Sequence, residues 1–238
     1  MLIDHFIREE QFYHHFQPIY DIENWYLIGR EVLLRSNEFS NPEIPFCLAK
    51  QKEKLYELDS RSIHKAISTY HMAGYSKREG KLFVNVYPST ISNGDFPSFI
   101  INIMNEFNVS RHQIVLELTE TEKIKDLKQF QKIINLLRKS GILIALDDIG
   151  KGIEDTQRII ELNPDFIKLD KYFAHDLYMS KKKQDFVRFL QNYCDAYKTY
   201  LILEGIETPV DLAFAKSFGI KYGQGYALGK PDVLEKTV

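Results

Sequence analysis

The sequence has few cysteines, no long apolar run and no excess of positive charge. Its two cysteines, Cys47 and Cys194, lie far apart without C-x-x-C spacing. This argues against a disulfide framework or a cysteine-held metal, and we expect two buried free thiols in a reducing cytoplasm. No stretch approaches the ~18 consecutive apolar residues of a membrane span. The first ten residues also lack the basic segment and apolar core of a signal peptide. We therefore expect a cytoplasmic protein with no membrane partner.

The charge balance is close to neutral, at −2 over 238 residues. No broad basic surface is expected, which excludes duplex nucleic acid as the natural partner. An anionic ligand would have to be held locally, by a few cations or a metal. The hydrophobic fraction of 44% is enough for one large core, and no linker or low-complexity segment interrupts the chain. The sequence thus predicts one domain over residues 1–238.

Short apolar runs alternate with amphipathic helical segments along the chain. This alternation is typical of a parallel sheet covered by helices on both faces, and its persistence favours a closed barrel. A stretch at 15–22 runs into Trp25-Tyr26 through an Asn-containing turn, so the first strand is expected to be antiparallel. No Gly-rich turn follows a first strand, which disfavours a dinucleotide-binding sheet. The predicted later strands cover 26–34, 81–86, 113–118, 142–146, 165–169 and 200–205.

One polar residue interrupts each of these apolar runs near its C-terminal end. Because the C-terminal mouth of a parallel barrel is where sites are built, these side chains should converge. Several carboxylates in mutual reach need a counter-charge, and oxygen ligands suit Mg²⁺ or Mn²⁺. No histidine ends a strand, so a zinc site is not expected. The interrupting residues are Glu31, Asn85, Glu117, Asp147, Lys168 and Glu204.

The stretch IALDDIG (144–150) ends an apolar run with two adjacent aspartates. Neighbouring strand residues point to opposite faces, so Asp147 is predicted to face into the barrel and to bridge two cations. Asp148 would begin the loop and reach the second cation. Two hard cations a few ångströms apart are the apparatus for splitting a phosphodiester, since they activate a water and stabilise an in-line displacement.

These segments resemble the EAL domain family of cyclic-di-GMP-specific phosphodiesterases. The resemblance spans roughly residues 13 to 231, and its signatures occur in the family's order. They read FQPIYDI (16–22), GREVLLRS (29–36), FVNVYP (83–88), LELTETE (116–122), ALDDIGKG (145–152), DFIKLDKYF (165–173), LEGIET (203–208) and GQGYALGKP (223–231).

The resemblance implies a (β/α)₈ TIM-type barrel with an antiparallel first strand, which opens cyclic-di-GMP to linear pGpG with two divalent cations. It implies a first metal held by Glu31, Asn85, Glu117 and Asp147, and a second held by Asp147, Asp148 and Glu204. It also implies that Lys168 orients the attacking water and offsets developing charge. Gln17 and Arg35 would bind the substrate, and Gln224 would lie near the attacking water. Behind the metal ligands, Glu207 would brace the loop after Asp148. Glu120 would likewise contact the metal ligands from behind.

Plainer readings of several residues stay open at this point. Lys168 and Asp170 can form an ordinary salt bridge, Glu204 and Glu207 can cap the following helix, and Arg35 can be a rim charge. Gln224 stands between two glycines and can be a turn residue. Glu120 can equally be an acid at the start of a helix.

Two departures from the family pattern bear on function. The residue after Glu31 is Val32 where the family has alanine, and it should point away from the metals. The family loop DFGTGYSS reads DIGKGIED here (148–155). The resemblance implies that this loop positions the second-metal aspartate and connects it to a dimer contact, so the altered sequence bears on second-metal affinity, on turnover and on the homodimer that the family implies. Two alternatives therefore remain: a receptor that binds cyclic-di-GMP without cutting it and acts through a protein partner, or a hydrolase of another phosphoester.

Overall fold

The computed structural model describes residues 2–78, 80–119, 121–151 and 155–235. Its strands close into one eight-stranded barrel in which each strand neighbours the next in chain order, and the last pairs with the first. This confirms the predicted fold. The strands are β1 (Tyr13–Asp21), β2 (Tyr26–Arg35), β3 (Lys81–Val86), β4 (Ile114–Leu118), β5 (Leu143–Ile149), β6 (Phe166–Leu169), β7 (Tyr200–Leu203) and β8 (Tyr222–Gln224).

Helices surround the barrel and connect its strands. Thr208 caps the helix that begins at Pro209, because its side chain accepts a hydrogen bond from the backbone N–H of Asp211 and proline occupies the first helical position. The helices are α1 (Leu2–Arg8), α2 (Glu43–Gln51), α3 (Leu55–Met72), α4 (Pro88–Ile91), α5 (Phe96–Glu106), α6 (Leu127–Lys139), α7 (Asp155–Leu162), α8 (Lys171–Ala174), α9 (Lys181–Tyr197) and α10 (Pro209–Ser217).

The first strand runs against its two neighbours, as predicted. β1 pairs antiparallel with β2 through a hairpin and antiparallel with β8, whereas the other neighbouring pairs are parallel. Asp21 fixes the hairpin turn, because its Oδ1 accepts a hydrogen bond of 2.7 Å from the backbone N–H of Asn24.

The largest core lies between the barrel and its helices. Val32 belongs to it and is 5% exposed, beside residues of α3 such as Ile63 and Ile67. It therefore faces away from the barrel interior, as predicted, while its neighbour Glu31 faces inward. A smaller core under α1 joins Phe6 to Phe12.

The barrel interior is stacked in layers. Its lower layer is apolar and is formed by Ile19, Phe83, Val115, Ala145, Phe166, Ile202 and Tyr222. The polar residues of the upper layer lie on the same face of the parallel strands, two residues further along each strand. The apolar layer closes the interior below, so the polar layer lies at the C-terminal mouth.

Several elements depart from the sequence expectations. β5 continues to Ile149, so Asp148 lies at the end of the strand and not in the following loop. Cys47 is exposed on α2 and only Cys194 is buried, so the expectation of two buried thiols is wrong for Cys47; both are free. Among the described residues, no helix is both long and apolar enough to cross a bilayer.

Candidate active site at the barrel mouth

The predicted polar residues meet at the C-terminal mouth of the barrel. The strand register places them at one level: Gln17 lies opposite Glu31 across β1 and β2, and Asn85 lies beside Glu117 across β3 and β4. Asp147, Lys168, Glu204 and Gln224 come from the following four strands or their ends. The acids are thus brought together by barrel closure, since they are far apart in the sequence.

Lys168 lies at the centre of these acids. Its side chain is 1% exposed, and its Nζ lies 3.1 Å from Oε2 of Glu31 and 3.0 Å from Oε1 of Glu117. The same atom lies 2.9 Å from Oδ1 of Asp147 and 2.9 Å from Oε1 of Glu204. One ammonium therefore faces four carboxylates, and three negative charges remain uncompensated if all four are ionised.

Burial and the neighbouring charges shift the pKa values of Glu117, Glu204 and Lys168. Desolvation raises the pKa of Glu117 well above its usual value, against the opposing attraction of Lys168. The pKa of Glu204 is raised for the same reason. Desolvation alone would lower the pKa of Lys168, but the surrounding carboxylates raise it well above its usual value. The cluster thus favours any additional positive charge, whether a proton or a cation.

The chemistry of these donors fits hard divalent cations. The four acids around Lys168 offer carboxylate oxygens, which are the ligands that Mg²⁺ and Mn²⁺ prefer. Oε2 of Glu117 is buried and has no hydrogen-bond partner among the described residues, which is unfavourable for a buried charged oxygen without a cation. In the described ranges, no three His, Cys, Asp or Glu side chains are arranged as a finished metal centre, and the Lys168 ammonium lies among the acids. Binding a cation therefore requires this cluster to rearrange.

Two glutamines position Glu31. Nε2 of Gln224 donates hydrogen bonds to Oε2 of Glu31 at 2.5 Å and to Oε1 of Gln17 at 3.2 Å. Gln17 in turn donates from Nε2 to the carbonyl of Gly229 at 3.1 Å. Gln224 is buried within β8 and faces the site, so it is not merely a turn residue between glycines. On the other side, Nδ2 of Asn85 donates to the carbonyl of Val32 at 3.2 Å.

Asp148 forms an ion pair with Lys151, a different lysine from the one that faces the four acids. Its φ is +54°, a left-handed conformation, at an irregularity in the β5–β6 register. Nζ of Lys151 lies 2.7 Å from Oδ1 of Asp148 and 3.0 Å from Oδ2 of Asp170. The salt bridge between Asp170 and Lys168 considered above is therefore wrong: Asp170 pairs with Lys151 and caps α8 at the backbone N–H of Tyr172.

Two cavities open on either side of Glu31 and Asp148. The first, of about 250 Å³, is lined by residues that include Gln17, Glu204 and Gln224. The second, of about 230 Å³, is lined by residues that include Arg35, Phe46 and Asp147. Both cavities reach Glu31 and Asp148, so a ligand with two lobes can place its centre beside the acids.

The remaining predicted residues lie at the rim or outside the described chain. Arg35 lines the second cavity, half-buried, and donates from Nη1 to the carbonyl of Leu34 at 2.9 Å. Glu207 is exposed at the first cavity and has no hydrogen bond to a described residue of the loop after Asp148, so its predicted bracing role has no support there. Glu120 lies outside the described residues, as do residues 152–154 of the altered loop.

Sequence reasoning did not assign Lys151 a place in the site. Its signal was present, because a lysine stands in the loop that departs from the family pattern. What the sequence did not reveal is that Asp170, at the end of the next strand, lies close enough to share the ammonium with Asp148.

Comparison with known proteins identifies the family of this barrel. The family model described as the EAL domain matches residues 3–231. The chain belongs to the EAL domain family. The recognised signatures therefore lie on the strands and loops that form the mouth of this EAL domain.

Individual relatives are similar at moderate identity. Cyclic di-GMP phosphodiesterase PdeB of Shewanella oneidensis is 27% identical over 208 residues, covering 86% of this chain and 24% of that protein. The blue light- and temperature-regulated antirepressor BluF of Escherichia coli is 26% identical over 216 residues, covering 90% of this chain and 53% of that protein. The chain thus spans between about a quarter and about half of these two relatives.

A solved structure with bound ligands has the same fold. The manganese and cyclic-di-GMP complex of Klebsiella pneumoniae BlrP1 at pH 9.0 matches with a TM-score of 0.85 and 25% identity, covering 93% of this chain and 56% of that chain. Manganese and the cyclic dinucleotide are thus ligands of a protein to which this barrel is similar.

Proposed function

We propose that this EAL domain hydrolyses cyclic-di-GMP to linear pGpG with two divalent cations, Mg²⁺ or Mn²⁺. The observation that carries the proposal is the meeting of Glu31, Glu117, Asp147 and Glu204 around one ammonium at the barrel mouth. A single lysine leaves these acids with excess negative charge, which bound cations would neutralise. The similarity to phosphodiesterases such as PdeB supports the choice of substrate.

The chain offers ligands for two cations. Glu31, Asn85, Glu117 and Asp147 would hold one, and Asp147, Asp148 and Glu204 would hold the other. Such cations lower the pKa of water and stabilise charge on phosphate oxygens when bound. Glu31 is already positioned for this role by Gln224, and the second oxygen of Glu117 needs a partner.

The other residues would bind the substrate and offset charge. Arg35 faces the second cavity, where its guanidinium can donate to a phosphate oxygen. Gln17 and Gln224 line the first cavity and present amide groups next to Glu31. Lys168 cannot reach solvent, so its ammonium acts inside the site, where it offsets negative charge that develops on the phosphate.

The proposal is tested by incubating purified protein with cyclic-di-GMP and Mn²⁺ and by quantifying pGpG. We expect pGpG formation by the wild type and its loss in Glu31→Ala, which removes a cation ligand. The control variant Glu9→Ala removes a surface carboxylate that lies 2.8 Å from Arg8, and it should retain full activity. An inactive wild type that remains folded would contradict the proposal, as would equal activity in wild type and Glu31→Ala.

A second candidate function is a receptor that binds cyclic-di-GMP without cutting it and acts through a protein partner. The pairing of Lys151 with Asp148 favours it, because that carboxylate is engaged by the chain itself. The similarity to BluF, which is named as an antirepressor, is consistent with such a role. Calorimetric binding of the nucleotide with no pGpG after long incubation would select this candidate.

A further inference from the structure

Lys151 forms an ion pair with Asp148, the carboxylate that the proposed second cation would need. Its Nζ lies 2.7 Å from Oδ1 of Asp148 and 3.0 Å from Oδ2 of Asp170. Asp170 is 4% exposed and is fixed by its hydrogen bond from the backbone N–H of Tyr172. The ammonium therefore bridges two acids, one of which is held rigidly.

The backbone around Lys151 keeps it close to Asp148. Gly150 adopts φ +112° and packs so closely on Phe173 that a Cβ atom there would lie 2.3 Å from the ring. The backbone N–H of Gly150 donates to Oδ2 of Asp155 at 2.7 Å, which anchors this turn to the start of α7. The turn that leads from Asp148 to Lys151 is thus held in place at Gly150.

An ammonium and a divalent cation make competing demands on the same carboxylate. Each is stabilised by the negative charge of Asp148, and the two repel one another when both are close. At the other half of the site, Lys168 contacts Oε1 of Glu117 at 3.0 Å but is shared among four acids, and Oε2 of Glu117 has no hydrogen-bond partner among the described residues. Lys151 is shared by only two acids in the described chain, so it neutralises Asp148 more fully. The two halves of the site should therefore differ in their affinity for cations.

We propose that Lys151 competes with the second divalent cation for Asp148, so that this cation binds more weakly than the one at Glu117. The inference rests on the proposed two-cation site and adds a residue that sets its affinity. In this EAL domain the second position would fill only at high cation concentration, which makes the chain sensitive to the available Mg²⁺ or Mn²⁺.

The test is Mn²⁺ binding without nucleotide, measured by calorimetry and by the electron paramagnetic resonance of free Mn²⁺. Lys151→Met removes the charge with little change in length, Lys151→Arg keeps the charge, and Asp148→Asn removes the contested carboxylate. Lys171→Met is a matched control, because Lys171 lines the same cavity without an ion pair to a described carboxylate. Lys151→Gln gives the same test if Lys151→Met does not fold.

The wild type should show a tighter and a weaker Mn²⁺ site. Lys151→Met should tighten the weaker site by about three- to fivefold, which is the effect of removing a partly exposed ion pair. Lys151→Arg and Lys171→Met should leave both constants nearly unchanged, and Asp148→Asn should abolish the weaker site. An unchanged weaker site in Lys151→Met would overturn the inference.

Hydrolysis measured on the same samples separates this inference from the proposed function. An unchanged weaker site together with normal pGpG formation would refute only the role of Lys151. A tightened weaker site together with no pGpG at saturating Mn²⁺ would support that role and contradict the proposed hydrolysis.

Discussion

Replacing Lys168 by methionine removes the ammonium that faces the four acids at the barrel mouth. The side chain is 1% exposed, so water cannot take over its role. Loss of one partner from a buried ion pair typically costs about 3–5 kcal/mol, because the remaining charge stays uncompensated. We expect Lys168→Met to lose that amount of unfolding free energy in metal-free buffer.

The loss should appear as a large fall in melting temperature. For a domain of this size about 1 kcal/mol corresponds to about 2–4 °C, so the variant should melt roughly 6–20 °C below the wild type. The control is Lys181→Met, whose ammonium contacts Asp185 at 2.6 Å but is 78% exposed. Such a surface pair contributes little, and this control should melt within about 2 °C of the wild type.

The same experiment has a pH and a cation dependence. Desolvation already raises the pKa of Glu117 and of Glu204, and loss of the ammonium removes the attraction that opposes it, so these two acids bind protons more tightly in the folded than in the unfolded state. Their contribution to stability is therefore present at low pH and is lost as pH rises. The deficit of Lys168→Met should be smaller at pH 5 than at pH 8. Added Mn²⁺ should raise the melting temperature of Lys168→Met more than that of the wild type.

Two results would refute this reasoning. One is a metal-free Lys168→Met that melts within about 2 °C of the wild type, which would show that the acids need no buried counter-charge. The other is a deficit that grows as the pH is lowered, which has the opposite sign to that expected for acids with raised pKa values.

Three further predictions concern other parts of the molecule. Burial raises the pKa of Asp59 to about 7, so the unfolding free energy should fall by up to about 4 kcal/mol as pH rises from 4 to 8. Chemical denaturation of Asp59→Asn should show no such fall, and a variant with the same pH profile as the wild type would contradict this prediction. Gly150→Ala should lower the unfolding free energy by about 1–3 kcal/mol, because a Cβ is disfavoured both by the φ of +112° and by the Phe173 ring. If the variant has the same denaturation midpoint as the wild type, the turn does not require glycine. Gln224→Leu should lower the rate of pGpG formation about tenfold or more, because Glu31 loses the hydrogen bond that positions it, and Gln224→Glu should lower the rate further. Equal rates in the wild type and both variants would exclude this positioning role.

Much of the barrel mouth could be predicted because its residues stand out from their strands. Glu117 and Lys168 each interrupt an otherwise apolar run, two residues after an inward-facing Val115 or Phe166. A period of two along a strand is enough to place both members of each pair on one face. The level at which they meet then follows from the parallel register.

Other features depend on contacts that a local pattern does not carry. β8 has only three residues, Tyr222–Gln224, one of them a glycine, and it exists as a strand because it closes the barrel between β7 and β1. The bridge from Lys151 to Asp148 depends on Asp170, which follows a different strand. The exposure of Cys47 depends on which face of α2 packs against the rest of the chain.

The most direct test of the account is a crystal structure of this EAL domain grown with Mn²⁺ and cyclic-di-GMP, with anomalous scattering collected at the manganese edge. We expect manganese peaks at the mouth, one contacting Glu31, Glu117 and Asp147 and a weaker one contacting Asp148, with the phosphate beside them. Nucleotide bound at the mouth with no manganese peak, and with Lys168 still centred among the four acids, would contradict the account.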